Sequence, residues 1–310
     1  ERFEKAQLKI GLGVWTTGKN LGGFDVWKED TVLANHSGVR IGASYIANVS
    51  LRDFMIFLKE ELTKVTFSAY EMYDAGQLPE SFFLANNKIT KRGKPALTYD
   101  TFFSRINSFI DEKHIVVADA GFPLLGAQGI RIAEPNGFVA QASWLSIGYS
   151  VPAATGIKCA RPDKRPVVFV GDGAFQETCQ AISTQNKLKH DTIVFVLDNG
   201  IYGIEQMLVN PNPFRGADKV EYSVPDLNNV YDYNEMHRWK YAKLVDVFGG
   251  KGFEVNTLDE LEDVIKQLDD IKENTIIHVN IPKTSIPEAI AYKTEEPGED
   301  EFLDKNWSLC

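Results

Sequence analysis

The sequence predicts an α/β fold built on a doubly wound parallel sheet, and two apolar runs carry this prediction. The first run, Val167 to Val170, ends in Gly-Asp-Gly and is followed by a stretch of helical length. The second run, Ile193 to Leu197, ends in Asp-Asn-Gly. Strand, tight turn, helix and strand in this order form a βαβ unit with parallel strands. Both strands therefore bring polar atoms to the same edge of the sheet.

Asp172 and Asn199 stand at the carboxyl ends of these two predicted strands. Ligands of open parallel sheets bind outside the carboxyl ends of the strands, so we expect both side chains to face one crevice. Glycines at 171 and 173 let the backbone approach an anion closely, and the amides that open the next helix favour negative charge. Carboxylate and amide oxygens suit Mg²⁺, which takes its remaining ligands from water and phosphate oxygens. The unit therefore predicts a magnesium–diphosphate site.

The same unit resembles the signature of enzymes that use thiamine diphosphate (ThDP). Gly171-Asp172-Gly173 followed by FQETCQAIST, and Asn199 within NGIYGIE, are similar to stretches of the pyruvate and indolepyruvate decarboxylases, which act on 2-oxo acids. The resemblance implies that ThDP and Mg²⁺ are the cofactors, and that Asp172, Asn199 and the carbonyl of Ile201 bind the metal. An ordinary βαβ turn that binds no ligand is the alternative explanation.

Composition and charge narrow the class of protein. The chain has 310 residues, of which 44% are hydrophobic and 25% charged, so it can bury one large core or two moderate ones. The net charge of −10 argues against nucleic acid or an anionic membrane as a partner. No apolar run is long enough to span a bilayer and no signal peptide opens the chain. The three cysteines lack metal-ligand spacing, and we expect a cytoplasmic setting.

Residues 1–70 read as strands followed by a helix. Leu8 to Trp15 is an apolar strand-like run, the segments around Val39 and Tyr45 alternate, and Leu51 to Val65 has apolar residues at helical spacing. This part resembles the later part of the middle domain of the decarboxylases. Residues 71–96 are rich in Gly, Pro and Asn and indicate a linker. Residues 97–310 are then expected to form the diphosphate-binding domain with an acidic tail.

Gly13 to Asn20 nearly matches a phosphate-binding P-loop, which would make ATP binding depend on Lys19. Such a loop needs Ser or Thr after the lysine and a helix that begins there. Here Asn20 is followed by Leu-Gly-Gly, so we favour a plain connection between strand and loop.

The second domain is expected to open with a helix from Thr98 to Ile110 and a strand over residues 115–117 that leads to Gly121. The resemblance implies that the loop after this strand lines the diphosphate with hydroxyl residues. This sequence has Ala120 and Phe122 there, which removes side-chain donors that backbone N–H groups could replace.

Residues 141–149, QASWLSIGY, resemble the segment that holds the aminopyrimidine ring of ThDP. The resemblance implies that the carbonyl of Leu145 accepts a hydrogen bond from the amino group, and that Ile147 supports the bent cofactor. Leu145 replaces the glycine usual in decarboxylases. The alternative for Ile147 is an ordinary core isoleucine.

Glu205, in the stretch YGIE, matches the acid/base glutamate of the family. A glutamate in the first turn of a helix is otherwise a solvated partner of the helix dipole. Residues 208–232 read as a long loop and a candidate lid, and residues 234–248 resemble the family's helix before the last strands. His278 lies in the expected final strand, where we predict a core or edge role.

The resemblance places the cofactor-binding residues on several loops of the second domain. They are Gly121, Leu145, Ile147, Gly171, Asp172, Gly173, Ala174, Phe175, Asn199, Tyr202 and Gly203.

The implied activity is non-oxidative decarboxylation of a 2-oxo acid to an aldehyde, with Glu205 as the catalytic residue. In the family a pyrimidine-binding domain completes the site. We expect this domain to come from a partner chain or from an N-terminal part that this sequence does not include, in a dimer or tetramer. The alternatives are a carboligase or synthase of the acetolactate type, and a noncatalytic ThDP-binding regulatory subunit. The sequence does not identify the side chain of the substrate.

Overall fold

The computed structural model describes residues 6–14, 25, 27–65, 97–133, 135–214 and 230–294. The chain divides into two units, whose described parts end at residue 65 and begin at residue 97. The proposed linker at 71–96, residues 15–20 of the P-loop-like stretch with its Lys19, and the acidic tail after residue 294 lie outside the described residues.

The first unit contains a four-stranded sheet and one helix. Its strands are β1 (Lys9–Leu12), β2 (Thr31–Ala34), β3 (Gly38–Ile41) and β4 (Ser44–Ala47), in the order β1-β2-β3-β4. β1 and β2 are parallel, whereas β2-β3 and β3-β4 are antiparallel. Helix α1 (Leu51–Leu62) begins at Ser50, whose hydroxyl accepts the amide of Asp53 and caps the helix. The strands and helix expected here are present.

The second unit is built on a six-stranded sheet in which every pair of strands is parallel. Its strands are β5 (His114–Ala118), β6 (Phe138–Ala140), β7 (Arg165–Gly171), β8 (Ile193–Asp198), β9 (Lys251–Val255) and β10 (Thr275–Asn280). Their order is β6-β5-β7-β8-β10-β9. The chain winds from β5 outward in both directions, so the predicted doubly wound sheet is confirmed.

The helices of this unit cover both faces of the sheet. They are α2 (Tyr99–Asn107), α3 (Phe122–Ala127), α4 (Ser150–Ala160), α5 (Asp172–Thr178), α6 (Ala181–Lys187), α7 (Gly203–Val209), α8 (Val245–Phe248) and α9 (Leu258–Leu268). Short 3-10 turns lie at Asn212–Phe214, Asp232–Asn234, Tyr241–Leu244 and Glu288–Thr294.

The burial of the two central strands, β7 and β8, explains the apolar runs that predicted them in the sequence. Side chains of β7 and β8 alternate between two hydrophobic clusters, with Phe169 and Phe195 on one face and Val168 and Val194 on the other. Because both faces are covered by helices, both strands appear in the sequence as continuous apolar runs.

Two helix predictions differ from the structure. The single helix expected between β7 and β8 is two helices, α5 and α6, separated at Cys179 and Gln180. Residues 234–248 do not form one helix, since only a 3-10 turn from Tyr241 and the four-residue α8 are helical. None of the described helices combines the length and the apolar character that a bilayer crossing requires.

Candidate functional site

The carboxyl ends of β5, β7, β8 and β10 lie side by side at one edge of the sheet. β7 pairs Gly171 with Leu197 of β8, and β8 pairs Asp198 with Asn280 of β10. The loops that follow these strands therefore open onto the same edge. Most of the residues predicted to bind ThDP and Mg²⁺ lie in these loops or in the first turn of the helices that follow them.

Asp172 is the first residue of α5 and is 3% exposed. Its carboxylate accepts the amide of Gly173 at 3.0 Å with Oδ1 and the amide of Gly200 at 2.7 Å with Oδ2. Burial, together with the adjacent carboxyl of Asp198, raises the pKa of Asp172 well above its usual range. The bond to Gly200 ties the turn after β7 to the turn after β8.

Asn199 follows β8 and is also 3% exposed. Its Oδ1 accepts the amide of Ile201 at 3.3 Å, which closes a tight turn around Gly200. Because Asp172 is bonded to Gly200, the structure brings the predicted metal ligands Asp172, Asn199 and Ile201 into neighbouring turns.

Gly173 is required by a close approach between these turns. A Cβ atom at this position would collide with the ring of Tyr202 and would lie 2.7 Å from the sulfur of Met236. Gly203 has a similar constraint, since a Cβ there would lie 2.5 Å from the ring of Phe122. The predicted cofactor-binding residues Gly173, Tyr202 and Gly203 are thus closely packed at this edge of the sheet.

Ala174 and Phe175 have buried side chains in the hydrophobic cluster below the sheet edge. Phe175 is fully buried and meets Tyr241 edge to face, with 5.8 Å between ring centroids. Any contact of these two residues with an anion is therefore made by their backbone amides.

Glu205 lies in the first turn of α7 with an exposed side chain. α7 begins at Gly203, directly after the turn that carries Asn199 and Ile201. The carboxylate of Glu205 is therefore accessible, on a residue that follows Ile201 by four positions in the chain.

The end of β5 is apolar where hydroxyl residues were expected. Ala120 and Phe122 are buried, and Gly121 between them has φ 97°. The ring of Phe122 meets Tyr99 and Phe214 edge to face at centroid distances of 5.5 and 5.9 Å. Phe122 therefore belongs to the core.

The segment 141–149 is mostly exposed. Trp144 is 85% exposed, and Leu145 and Ile147 are each 41% exposed, so Ile147 is not the core isoleucine of the alternative interpretation. Leu145 has φ 54°, a left-handed conformation that costs a non-glycine residue roughly 1–2 kcal/mol. This conformation gives a physical reason for the glycine expected at position 145.

Asp119, which the sequence analysis did not select, anchors this segment. Its carboxylate accepts the amide of Gly148 at 3.0 Å, and the amide and hydroxyl of Ser150 at 2.8 and 2.6 Å. Burial raises the pKa of Asp119, while these neutral donors lower it in part. Asp119 follows a predicted strand, so the rule that selected Asp172 could have selected it as well.

The sequence analysis also did not select Asp198 and Arg238 as residues of the site. Asp198 is fully buried at the end of β8, and it accepts hydrogen bonds from Arg238 and from His278, whose Nε2 is 2.7 Å away. Burial opposes ionisation of Asp198, but its bonds with His278, Asp172 and Arg238 outweigh burial and hold its pKa below the usual value.

The residues present fit a divalent cation beside a diphosphate. Asp172 and Asn199 supply hard oxygen donors from neighbouring turns, and the backbone of Ile201 supplies a third. Among the described residues, no group of three or more His, Cys, Asp and Glu side chains could hold a metal. The candidate set is therefore one carboxylate, one amide and one carbonyl.

The predicted lid lies largely outside the described residues, which end at Phe214 and resume at Val230.

Comparison with known proteins points to the same cofactor. A family model for the C-terminal TPP-binding domain of thiamine pyrophosphate enzymes matches residues 119–279, about half of the chain; thiamine pyrophosphate is another name for ThDP. The match begins at Asp119, directly after β5, and ends within β10, so it covers the carboxyl ends of β7 and β8 and the loops that follow them.

Curated relatives share part of their length with this chain. A probable pyruvate decarboxylase of Schizosaccharomyces pombe is 29% identical over 252 residues, which cover 78% of this chain and 39% of that protein. A pyruvate decarboxylase of Candida albicans is 27% identical over 274 residues, which cover 85% and 44%. The chain thus spans less than half of the length of these relatives.

A solved structure, the benzoylformate decarboxylase of Polynucleobacter necessarius, superposes with a TM-score of 0.56 at 20% identity. The match covers 84% of this chain and 46% of that one. At this identity the likeness establishes the fold alone.

Proposed function

The chain belongs to the thiamine pyrophosphate enzymes, whose C-terminal TPP-binding domain it contains, and on this premise we propose that it takes part in the non-oxidative decarboxylation of a 2-oxo acid to an aldehyde. The observation that carries the proposal is the bond between Asp172 and Gly200, which links the turns bearing Asp172 and Asn199. The pyruvate decarboxylases named above support the choice of reaction.

In this proposal Asp172, Asn199 and the carbonyl of Ile201 hold Mg²⁺, and the metal binds the diphosphate of ThDP. The raised pKa of Asp172 belongs to the protein without metal, and a cation at this position favours the ionised carboxylate. Bound ThDP supplies the electron sink that takes up the electron pair released as CO₂ leaves.

Glu205 is the proposed acid/base residue. Its exposed carboxyl lies next to the metal-binding turn and can give or take a proton where product forms. Leu145 and Ile147 orient the cofactor from the other side of the crevice, Leu145 through its carbonyl and Ile147 through its exposed apolar side chain.

We further propose that a pyrimidine-binding domain or chain covers the exposed segment around Trp144 and Ile147, in a dimer or tetramer. The 85% exposed indole of Trp144 and the 41% exposed Ile147 form an apolar surface beside the site, which supports such a partner. Free Cys159 and Cys179 agree with the cytoplasmic setting that we propose.

The test is aldehyde formation from a 2-oxo acid with ThDP and Mg²⁺ added to the purified chain, with and without any co-purifying polypeptide. We expect aldehyde when the partner is present, and at least about a 100-fold lower rate for Glu205→Gln, in line with loss of an acid/base group. Glu112→Gln is a matched control, because Glu112 is also exposed but precedes β5 at the opposite edge of the sheet.

The outcomes separate the alternatives. No aldehyde under either condition, with ThDP still bound, would favour the noncatalytic subunit. A carboligated product in place of aldehyde would favour the synthase.

A further inference from the structure

The guanidinium of Arg238 connects three parts of the sheet edge. Its Nε donates to both carboxylate oxygens of Asp198, at 2.9 and 3.0 Å. Its Nη2 donates to the carbonyl of Asp198 at 3.2 Å and to Oδ1 of Asn280 at 3.0 Å. The aliphatic part of the side chain lies over Gly200, where a Cβ atom would be 3.2 Å from Cδ of Arg238. One side chain thus holds the ends of β8 and β10 and the turn between Asn199 and Ile201.

The segment that carries Arg238 is itself bonded to this turn. The amide of Met236 donates to the carbonyl of Gly200 at 3.1 Å, and the amide of Tyr202 donates to the carbonyl of Asn234 at 2.9 Å. Residues 234–238 therefore run alongside residues 200–202, and Arg238 fastens the end of this pairing to Asp198.

Asp198 requires such a partner because it lies beside Asp172. Two buried carboxyl groups in contact repel each other when both are ionised, unless positive groups compensate. Arg238 and His278 both contact Asp198, while the carboxylate of Asp172, beside it, also accepts the amides of Gly173 and Gly200. Both carboxylate oxygens of Asp198 are thereby occupied by Arg238, and one of them also by His278, which leaves Asp172 as the carboxylate of the candidate set.

We propose that Arg238 is a positioning residue of the metal–diphosphate site, which fixes Asp198 and the turn that carries Asn199 and Ile201. The inference rests on the proposed function, because the site must bind a metal and ThDP for the positioning to matter. Arg238 acts through Asp198 and Gly200 and is not itself a ligand.

The direction in which metal affinity changes when Arg238 is removed distinguishes a positioning role from a purely electrostatic one. A cation near the site repels Mg²⁺, so removing Arg238 would strengthen metal binding if its charge were all that mattered. If Arg238 positions the ligands, removing it weakens metal binding. A residue that only stabilises the fold would leave the metal affinity of the folded protein unchanged.

The experiment measures Mn²⁺ binding by electron paramagnetic resonance at saturating ThDP, on the full chain together with any co-purifying polypeptide. We expect Arg238→Met to bind Mn²⁺ about 10-fold more weakly, and Arg238→Lys to recover part of the loss, since lysine keeps the charge but not the fork of donors. Arg161→Met is the control, because Arg161 follows the C-terminal end of α4 and makes a surface pair with Asp163 at 2.9 Å.

Mn²⁺ affinity of Arg238→Met that is unchanged or tighter would overturn the inference. If the unaltered protein does not bind Mn²⁺ with ThDP, the proposed function fails instead. Asn280→Ala serves as a second variant should Arg238→Met not fold. It removes the β10 anchor of the guanidinium and leaves Arg238 bonded to Asp198, although it also removes the exposed bonds from Asn280 to Glu254 and Asn256. We expect about 3-fold weaker Mn²⁺ binding for it, and no change would count against the inference.

Discussion

Asp119 and Asp198 occupy equivalent places in the sheet and have opposite surroundings. Each is fully buried just after or at the end of a strand, β5 for Asp119 and β8 for Asp198. Asp119 meets the neutral donors of Gly148 and Ser150, and burial raises its pKa. Asp198 meets Arg238 and His278, and its pKa is lowered despite burial.

The difference divides the crevice into two sides. The β5 side, where Asp119 meets only neutral donors and Ala120 and Phe122 are apolar, positions a loop through packing and hydrogen bonds. The β7–β8 side concentrates charge beside Asp172. We therefore expect changes on the first side to act on stability and changes on the second to act on ligand binding.

The largest expected effect is from Phe122→Ala on the β5 side. Removing a fully packed ring leaves a cavity beside Tyr99 and Phe214, and we expect the free energy of unfolding to fall by about 3–5 kcal/mol. Urea denaturation measures it. Phe253→Ala on the edge strand β9, where the ring is half-buried, is the control and should cost less. Equal costs for the two variants would contradict the core role of Phe122.

Asp172→Asn tests the β7–β8 side. The substitution preserves size but removes the negative charge, so we expect Mg²⁺-dependent binding of ThDP to weaken about 100-fold, equivalent to about 2.7 kcal/mol. Titration of ThDP followed by tryptophan fluorescence measures this affinity. Asp163→Asn, on the surface, should leave the affinity as it is. If Asp172→Asn bound ThDP normally, the charged side would have no role in holding the diphosphate.

Ser150→Ala tests the role of Asp119 on the β5 side. It deletes the 2.6 Å bond from the hydroxyl to Asp119 and leaves that buried carboxyl short of a donor. We expect the free energy of unfolding to fall by about 1–2 kcal/mol, with faster hydrogen exchange at Gly148. Ser183→Ala, at an exposed position of α6, should change stability by less than about 0.5 kcal/mol. Unchanged exchange at Gly148 would show that Asp119 does not anchor the segment.

Leu145→Gly is expected to act in the opposite direction. It relieves the left-handed strain at φ 54° and should raise the free energy of unfolding by up to about 1 kcal/mol. Leu188→Gly makes the same chemical change at a residue with φ −85° and a comparable exposure of 47%, so it should be destabilising. Thermal unfolding compares the two, and effects of the same sign would refute the strain argument.

The last prediction concerns pH and is confined to acidic conditions. The folded-state pKa of Asp119 is raised above the value of about 3.9 in an unfolded chain, so the folded state keeps the proton longer. The stability that Asp119 contributes is therefore full below about pH 3.9 and is lost as pH rises through the folded pKa. Carbon NMR titration of the carboxyl measures the shift. Asp163, whose pKa its bond to Arg161 lowers, should shift the other way.

The β7–β8 unit could be predicted from the sequence, because every side chain of these strands is buried and the turns after them carry distinctive glycines. The same rule, applied to all strand ends, would have found Asp119 and Asp198. Arg238 could not be found this way, since its partner lies 40 residues earlier and the contact depends on tertiary structure. The break at Cys179 also escaped, because no proline or glycine marks it.

The close packing of Phe122 against Gly203 has an evolutionary consequence. With phenylalanine at 122, a methyl group at 203 would be 2.5 Å from the ring, so these two positions cannot drift independently. A hydroxyl residue at 122 would free space for a larger side chain at 203, and each substitution would be tolerated best in the presence of the other. We therefore expect the two positions to covary among homologues as a compensating pair. This pair connects the loop after β5 with the loop after β8, across the intervening strand β7.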